Sequence, residues 1–124
     1  MSTMGLVLVI HGSRYPGTVE QMSALVDTLQ SLRPADRVLG AYLELLSPNV
    51  DQAIDTLVAE GLRNVILVPY FMLDGRHTRE DLPRLADVAM ARHPGLAIQV
   101  GPPVGVRREV LSLLLAGAGI GEIA

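Results

Sequence analysis

Four short apolar runs punctuate the chain, and the stretches between them repeat their apolar residues at helical spacing. Gly5 to Ile10 is an unbroken apolar run, the pattern of a strand covered on both faces. Arg37 to Leu43 and Asn64 to Tyr70 predict a second and a third strand, and Leu96 to Gly101 a fourth. After the first run, a loop with Pro16 and Gly17 leads to Thr18-x-x-Gln21, a capping-box pattern. Val19, Met22, Leu25, Val26, Leu29 and Leu32 then mark one helix face, and Pro34 ends it. Ser47-Pro48 reads as an N-cap with proline at the first helical position, followed by the stripe Val50, Ile54, Leu57 and Val58 and a stop at Gly61. Thr78-x-x-Asp81 reads as a further capping box, ahead of Leu82, Leu85, Val88 and Ala89 and an end near His93-Pro94-Gly95. Pro102-Pro103 predict a turn, and Val106 to Leu115 a last helix.

Strand and helix thus alternate four times. That rhythm predicts an α/β domain over residues 1–124, a three-layer sandwich with a four-stranded parallel sheet and helices on both faces. In such a sheet, residues that directly follow strands emerge together at its carboxyl edge, where open α/β folds bind ligands. His11 follows the first run, Glu44 the second, and His77 lies just past the third. Two imidazoles and a carboxylate at one edge are suited to holding a divalent metal ion or moving protons.

Each residue also has a plainer reading. His11-Gly12-Ser13-Arg14 makes a turn in which local hydrogen bonds satisfy the imidazole, or a loop whose backbone, Ser13 and Arg14 receive carboxylate or phosphate oxygens. Glu44, among apolar neighbours, pairs either with an arginine or with a metal or imidazolium. In Asp74-Gly75-Arg76-His77-Thr78-Arg79, the arginines are either solvated or anion partners ahead of a helix N-terminus. His93 suits the end of a helix and is assigned no role.

Composition narrows the classes. The chain has 124 residues, 49% of them hydrophobic, with a mean hydropathy of +0.36. So small a protein has a large surface for its volume, so part of that apolar content is expected to face a partner subunit in a homo-oligomer. The net charge is −3, and all ten basic residues are arginines, without a basic run. Nucleic-acid binding is disfavoured. Cysteine is absent, which excludes a disulfide framework and a thiolate metal site. The opening residues lack the positive segment of a signal peptide, and the stretch from Leu113 to Ile120 is too short to cross a membrane. A cytoplasmic protein without membrane attachment is expected. There is no HExxH, P-loop, GxGxxG or Gly-x-Ser-x-Gly.

The segments LVLVIHGSR, YLELLSP, VILVPYFMLDGRHTREDLP and IQVGPPVG together resemble the short CbiX-type sirohydrochlorin chelatases. The resemblance runs over nearly the whole chain. It departs from the family at Tyr15-Pro16-Gly17-Thr18, where an asparagine is common. The resemblance implies a chelatase-like, flavodoxin-shaped fold with sheet order 2-1-3-4, acting as a homodimer. It implies ATP-independent insertion of Co²⁺, with Fe²⁺ or Ni²⁺ as alternatives, into sirohydrochlorin on the way to cobalamin or siroheme. The metal ion is then a substrate, and no permanent cofactor is expected. On this reading His11 and His77 match the family's active-site histidines, and Glu44 its metal-site glutamate. Ser13, Arg14, Arg76 and Arg79 become candidate partners for the macrocycle's carboxylates, and Leu45, Leu46, Phe71, Met72 and Leu73 candidate walls for its faces. The alternatives are a non-catalytic carrier of tetrapyrrole or metal and, further off, a phosphate-recognising regulator of flavodoxin-like shape.

Overall fold

The computed structural model describes residues 3–105 and 107–120. Its four strands are β1 (Gly5–Ile10), β2 (Arg37–Tyr42), β3 (Asn64–Pro69) and β4 (Ala97–Val100), and its helices are α1 (Thr18–Leu32), α2 (Val50–Ala59), α3 (Leu82–Arg92) and α4 (Arg108–Gly117). A π-helical turn, His77–Asp81, leads into α3. All strands pair in parallel in the order β2-β1-β3-β4, as expected. Gly5 to Ile10 runs in register with Arg37 to Tyr42 on one side, and Gly5 to Val9 with Val65 to Pro69 on the other.

The two faces are covered unequally. Val7, Val9, Val65, Leu67 and Ile98 point to one face and meet Ile54, Leu57, Leu82, Ala86 and Ala89 from α2 and α3 in the main core. On the opposite face Leu8 and Tyr42 meet Met22 of α1 in a smaller cluster, with Leu25, Val26 and Leu29 packed against it. Val19 and Leu32 were expected in that stripe, yet they are 52% and 69% exposed. They lie near the two ends of the helix, beyond the short cluster that Met22 anchors.

All three expected cap positions shift, each because a different local bond wins. Gly17, not Thr18, is the N-cap of α1; the Thr18 N–H closes a turn on the Tyr15 carbonyl and its side chain is buried. The α2 cap is Asn49, which exchanges bonds with Gln52 at 2.8 Å in each direction, while Ser47-Pro48 stays outside the helix with a cis bond. Thr78 accepts from the Gly75 N–H and donates to Asp74, so it caps nothing ahead of it. The stop at Gly61 is as expected. With φ +94°, Gly61 sends its N–H to Val58 O and lets Leu62 N–H reach Leu57 O, a Schellman closure. β1 matches its apolar run, β2, β3 and β4 each end a residue earlier than theirs, and the expected helix start at Val106 lies outside the described residues.

Candidate active site

The β1–β2 ladder continues past the strands and carries His11 against Glu44. Leu43 N–H donates to Ile10 O and Glu44 N–H to His11 O, each at 3.0 Å. The two side chains then meet directly, with His11 Nε2 2.8 Å from Glu44 Oε1. Glu44 pairs with an imidazole here, not with an arginine. Gly12 makes the approach feasible. Its φ is +106°, and a Cβ there would overlap the Glu44 carbonyl oxygen. The close approach that Gly12 permits is therefore to the neighbouring loop.

Leu45, next in that loop, is a non-glycine residue at φ +71°, and Leu46 N–H bonds back to Glu44 O at 2.9 Å. This is a γ-turn of the strained hand, which holds the Glu44 backbone rigidly and leaves the Leu45 side chain exposed. Leu46 turns away. It packs on the small cluster under α1 and so belongs to the core rather than to a ligand wall.

His77 arrives from the other side, on the π-helical turn beyond β3. Such turns recur at functional sites because they shift side chains out of ordinary helical register. Its ring centroid lies 4.7 Å from that of His11, at 68°, and Phe71 stands 6.4 Å from both. His77 Nδ1 is 2.7 Å from Asp81 Oδ2, one turn on. That contact, with a weaker one from Arg84, holds the Asp81 carboxyl below the usual carboxylate range against the opposing effect of burial. An ionised carboxylate only accepts, so the neutral His77 ring carries its proton on Nδ1 and leaves the Nε2 lone pair available. By the same argument the neutral His11 ring carries its proton on Nε2, toward Glu44, and keeps its lone pair on Nδ1.

Asp81 serves otherwise than its sequence pattern predicts: Thr78-x-x-Asp81 reads as a capping box, whereas Asp81 orients His77. The His77-x-x-x-Asp81 spacing was its legible signal, since residues four apart share a helix face.

The remaining candidates divide. Ser13 Oγ accepts from Tyr15 N–H at 3.0 Å and keeps its own proton to donate. Arg14 is exposed and makes no ion pair among the described residues. Arg76 reaches Glu80 only at 3.7 Å. Arg79 is tied by a 2.6 Å ion pair to Asp74, which also takes the Thr78 hydroxyl, so this arginine braces the loop. Met72 and Leu73 are exposed beside Phe71. They line a depression of about 330 Å³ shared with Arg76 and His77, and a second of about 580 Å³ shared with Pro102, Pro103 and Arg107. The described residues contain no group of three or more His, Asp or Glu side chains set to hold an ion. What the edge presents is two adjacent imidazoles, each bonded to its own carboxylate, and both about half exposed.

Comparison with known proteins identifies the family. A sirohydrochlorin cobaltochelatase of Priestia megaterium is 32% identical over 110 residues, which are 88% of this chain and 35% of that protein. The chain thus spans about a third of that relative's length. A cobalt complex of the sirohydrochlorin chelatase SirB from Bacillus subtilis subspecies spizizenii superposes with a TM-score of 0.87 at 24% identity, over 94% of this chain and 50% of that one. A putative cobalamin biosynthesis CbiX protein from Marinobacter aquaeolei VT8 superposes with a TM-score of 0.75 at 26% identity, over 94% and 93%. The CbiX family model matches residues 5–118, and the chain belongs to that family.

Proposed function

We propose that this protein inserts a divalent metal ion into sirohydrochlorin without ATP, with Co²⁺ the preferred ion and Fe²⁺ or Ni²⁺ alternatives. The observation that carries the proposal is the pair His11–His77, 4.7 Å apart at an open sheet edge, each imidazole held by a carboxylate. Insertion removes two pyrrole N–H protons and strips water from the ion. A neutral imidazole suits both tasks, because its lone pair either ligates the ion or accepts a proton near neutral pH. Glu44 and Asp81 offset the charge that builds on either ring and pass protons outward. The two imidazoles leave most of the ion's coordination to the macrocycle or water, which suits a metal that must be released. Cobalt is favoured because the 32% identical Priestia relative is a cobaltochelatase.

Phe71, Met72, Leu73 and Leu45 supply apolar surface for the macrocycle faces. Ser13, Arg14 and Arg76 face its carboxylates, and the Arg79–Asp74 tie fixes the loop that presents them. We take residues 1–124 as one domain working as a homodimer. No described helix is long and apolar enough to cross a membrane.

The test is an anaerobic absorbance assay with sirohydrochlorin and Co²⁺, Fe²⁺ or Ni²⁺ in turn, against a no-enzyme control. Catalytic acceleration supports the proposal and ranks the ions. Stoichiometric binding of the macrocycle without acceleration would instead establish a carrier.

A further inference from the structure

The larger depression, of about 580 Å³, has Met72 and Leu73 on its β3 side and Pro102, Pro103 and Arg107 on the link that follows β4. Backbone bonds tie that link to the site. Gly101 N–H donates to Leu67 O at 2.9 Å, and Val104 N–H to Phe71 O at 3.0 Å. Phe71 is the residue whose ring stands 6.4 Å from both imidazoles. Met72 and Leu73 follow it directly, and both are exposed. They also line the smaller depression, which holds Arg76 and His77. The two depressions are therefore continuous across one pair of exposed apolar side chains. One contains an imidazole of the site, and the other contains Arg107.

The walls of the larger depression are mostly apolar, and two of them are prolines with fixed backbones. Its acid, Asp74, is already committed to Arg79 at 2.6 Å and to the Thr78 hydroxyl. Arg107 is less engaged. Its Nε comes within 3.6 Å of Glu109, but both side chains are largely exposed, so the pair is screened and weak. The Arg107 side chain makes no cap bond to α4. A guanidinium at the mouth of an apolar hollow suits a carboxylate carried on an apolar body.

We propose that one carboxylate-bearing edge of the macrocycle seats in this depression, with Arg107 as the carboxylate's partner and Met72, Leu73 and Pro103 against the ring edge. The proposal rests on the sirohydrochlorin reading above and adds the β4–α4 link to its site. A ring that carries carboxylates around its rim is fixed in one orientation only by cations at separate points. Arg76 stands in one depression and Arg107 in the other, with Met72 and Leu73 shared between them. Arg107 then sets affinity and orientation, and takes no part in moving protons or the metal ion.

The test titrates sirohydrochlorin by absorbance, without any metal ion, into wild type, Arg107→Ala, Arg107→Glu and Arg63→Glu. Arg63 immediately precedes β3, at the opposite edge of the sheet, so its reversal changes the net charge equally without access to the depression. Arg107→Ala is expected to bind about tenfold more weakly and Arg107→Glu more weakly still, with Arg63→Glu within about twofold of wild type. Insertion by Arg107→Ala at saturating macrocycle is expected to keep its rate within about twofold, and a fall matching the loss of affinity would contradict the positioning role. Equal weakening by Arg107→Glu and Arg63→Glu would overturn the proposal by reducing the effect to overall charge. Weakening accompanied by a changed solution mass or a loss of helical circular dichroism would also overturn it, assigning the depression to a second copy or Arg107 to the fold of α4. Unaltered binding by Arg107→Glu would overturn it and leave the chelatase reading standing, whereas a wild type that binds no sirohydrochlorin would overturn both.

Discussion

His77 Nδ1 lies 2.7 Å from the Asp81 carboxylate, and that bond spans the π-helical turn on which the histidine is carried. The carboxylate fixes the tautomer and the ring's orientation together. Replacing Asp81 with asparagine keeps the shape but removes the charge and frees the ring to adopt the other tautomer. Partners of this kind are typically worth about 10–100-fold in metal affinity or activity. Asp81→Asn is therefore expected to slow metal insertion by about that factor, while sirohydrochlorin affinity, followed by absorbance titration, stays within about threefold. An equal loss in both quantities would show that Asp81 shapes the whole loop instead.

Gly12 holds the His11 and Glu44 loops together by having no side chain. Gly12→Ala forces a Cβ onto the Glu44 carbonyl at a backbone angle that alanine disfavours. The backbone term alone is on the order of 1–3 kcal/mol. Urea unfolding is expected to show a lower midpoint with an unchanged slope, and insertion activity is expected to fall with it.

The arginines should separate by role. Arg14→Ala and Arg76→Ala remove exposed charges facing a polyanionic substrate, and each is expected to raise KM severalfold with little change in kcat. The effect should shrink as salt is added, because exposed charges are screened. Arg79→Ala breaks the tie to Asp74 and is expected to lower kcat as well, since the loop bearing His77 loses its brace. Steady-state kinetics at two ionic strengths would distinguish these outcomes.

Among the described residues, four carboxyls are held below their ordinary range: Asp36 by the Met4 N–H, Asp55 by His93, Asp74 by the Thr78 hydroxyl and Asp81 by His77. In the unfolded chain each reverts upward, so on acidification the unfolded state binds more protons than the fold. The stability these groups contribute is complete above about pH 5 and is lost as pH falls through their depressed folded values. Thermal melting should show Tm falling steeply below about pH 4. Asp36→Asn should lower Tm at neutral pH and bring it toward wild type in acid. A Tm gap that stayed constant with pH would contradict this assignment.

The strands were legible because a strand inside a parallel sheet leaves a largely apolar run, whereas their order was implied only by the resemblance to the CbiX-type chelatases. That His11 and Glu44 emerge at one edge was legible because each follows a strand; that they touch depends on β1 and β2 being neighbours, which the runs do not say. The caps were not legible, because Thr18, Ser47 and Thr78 all have the right side chain yet lie beside a competing donor or acceptor that only the folded loops reveal. Asp81 was hidden by the same ambiguity, since one carboxylate fits either a cap or a histidine four residues away. Leu46 and Leu45 look alike in sequence, and only the γ-turn sends one inward and the other out. In α4 the leucines announce a buried face, but nothing in their spacing says which surface buries it.

In the proposed reaction the two imidazoles perform the insertion. The most direct test compares wild type, His11→Ala and His77→Ala in the anaerobic sirohydrochlorin assay with Co²⁺, with macrocycle binding titrated alongside. Either substitution is expected to depress turnover by at least about 100-fold, on the scale of losing a positioned acid–base group, while binding changes far less. Turnover equal to wild type in the His77→Ala variant would contradict it.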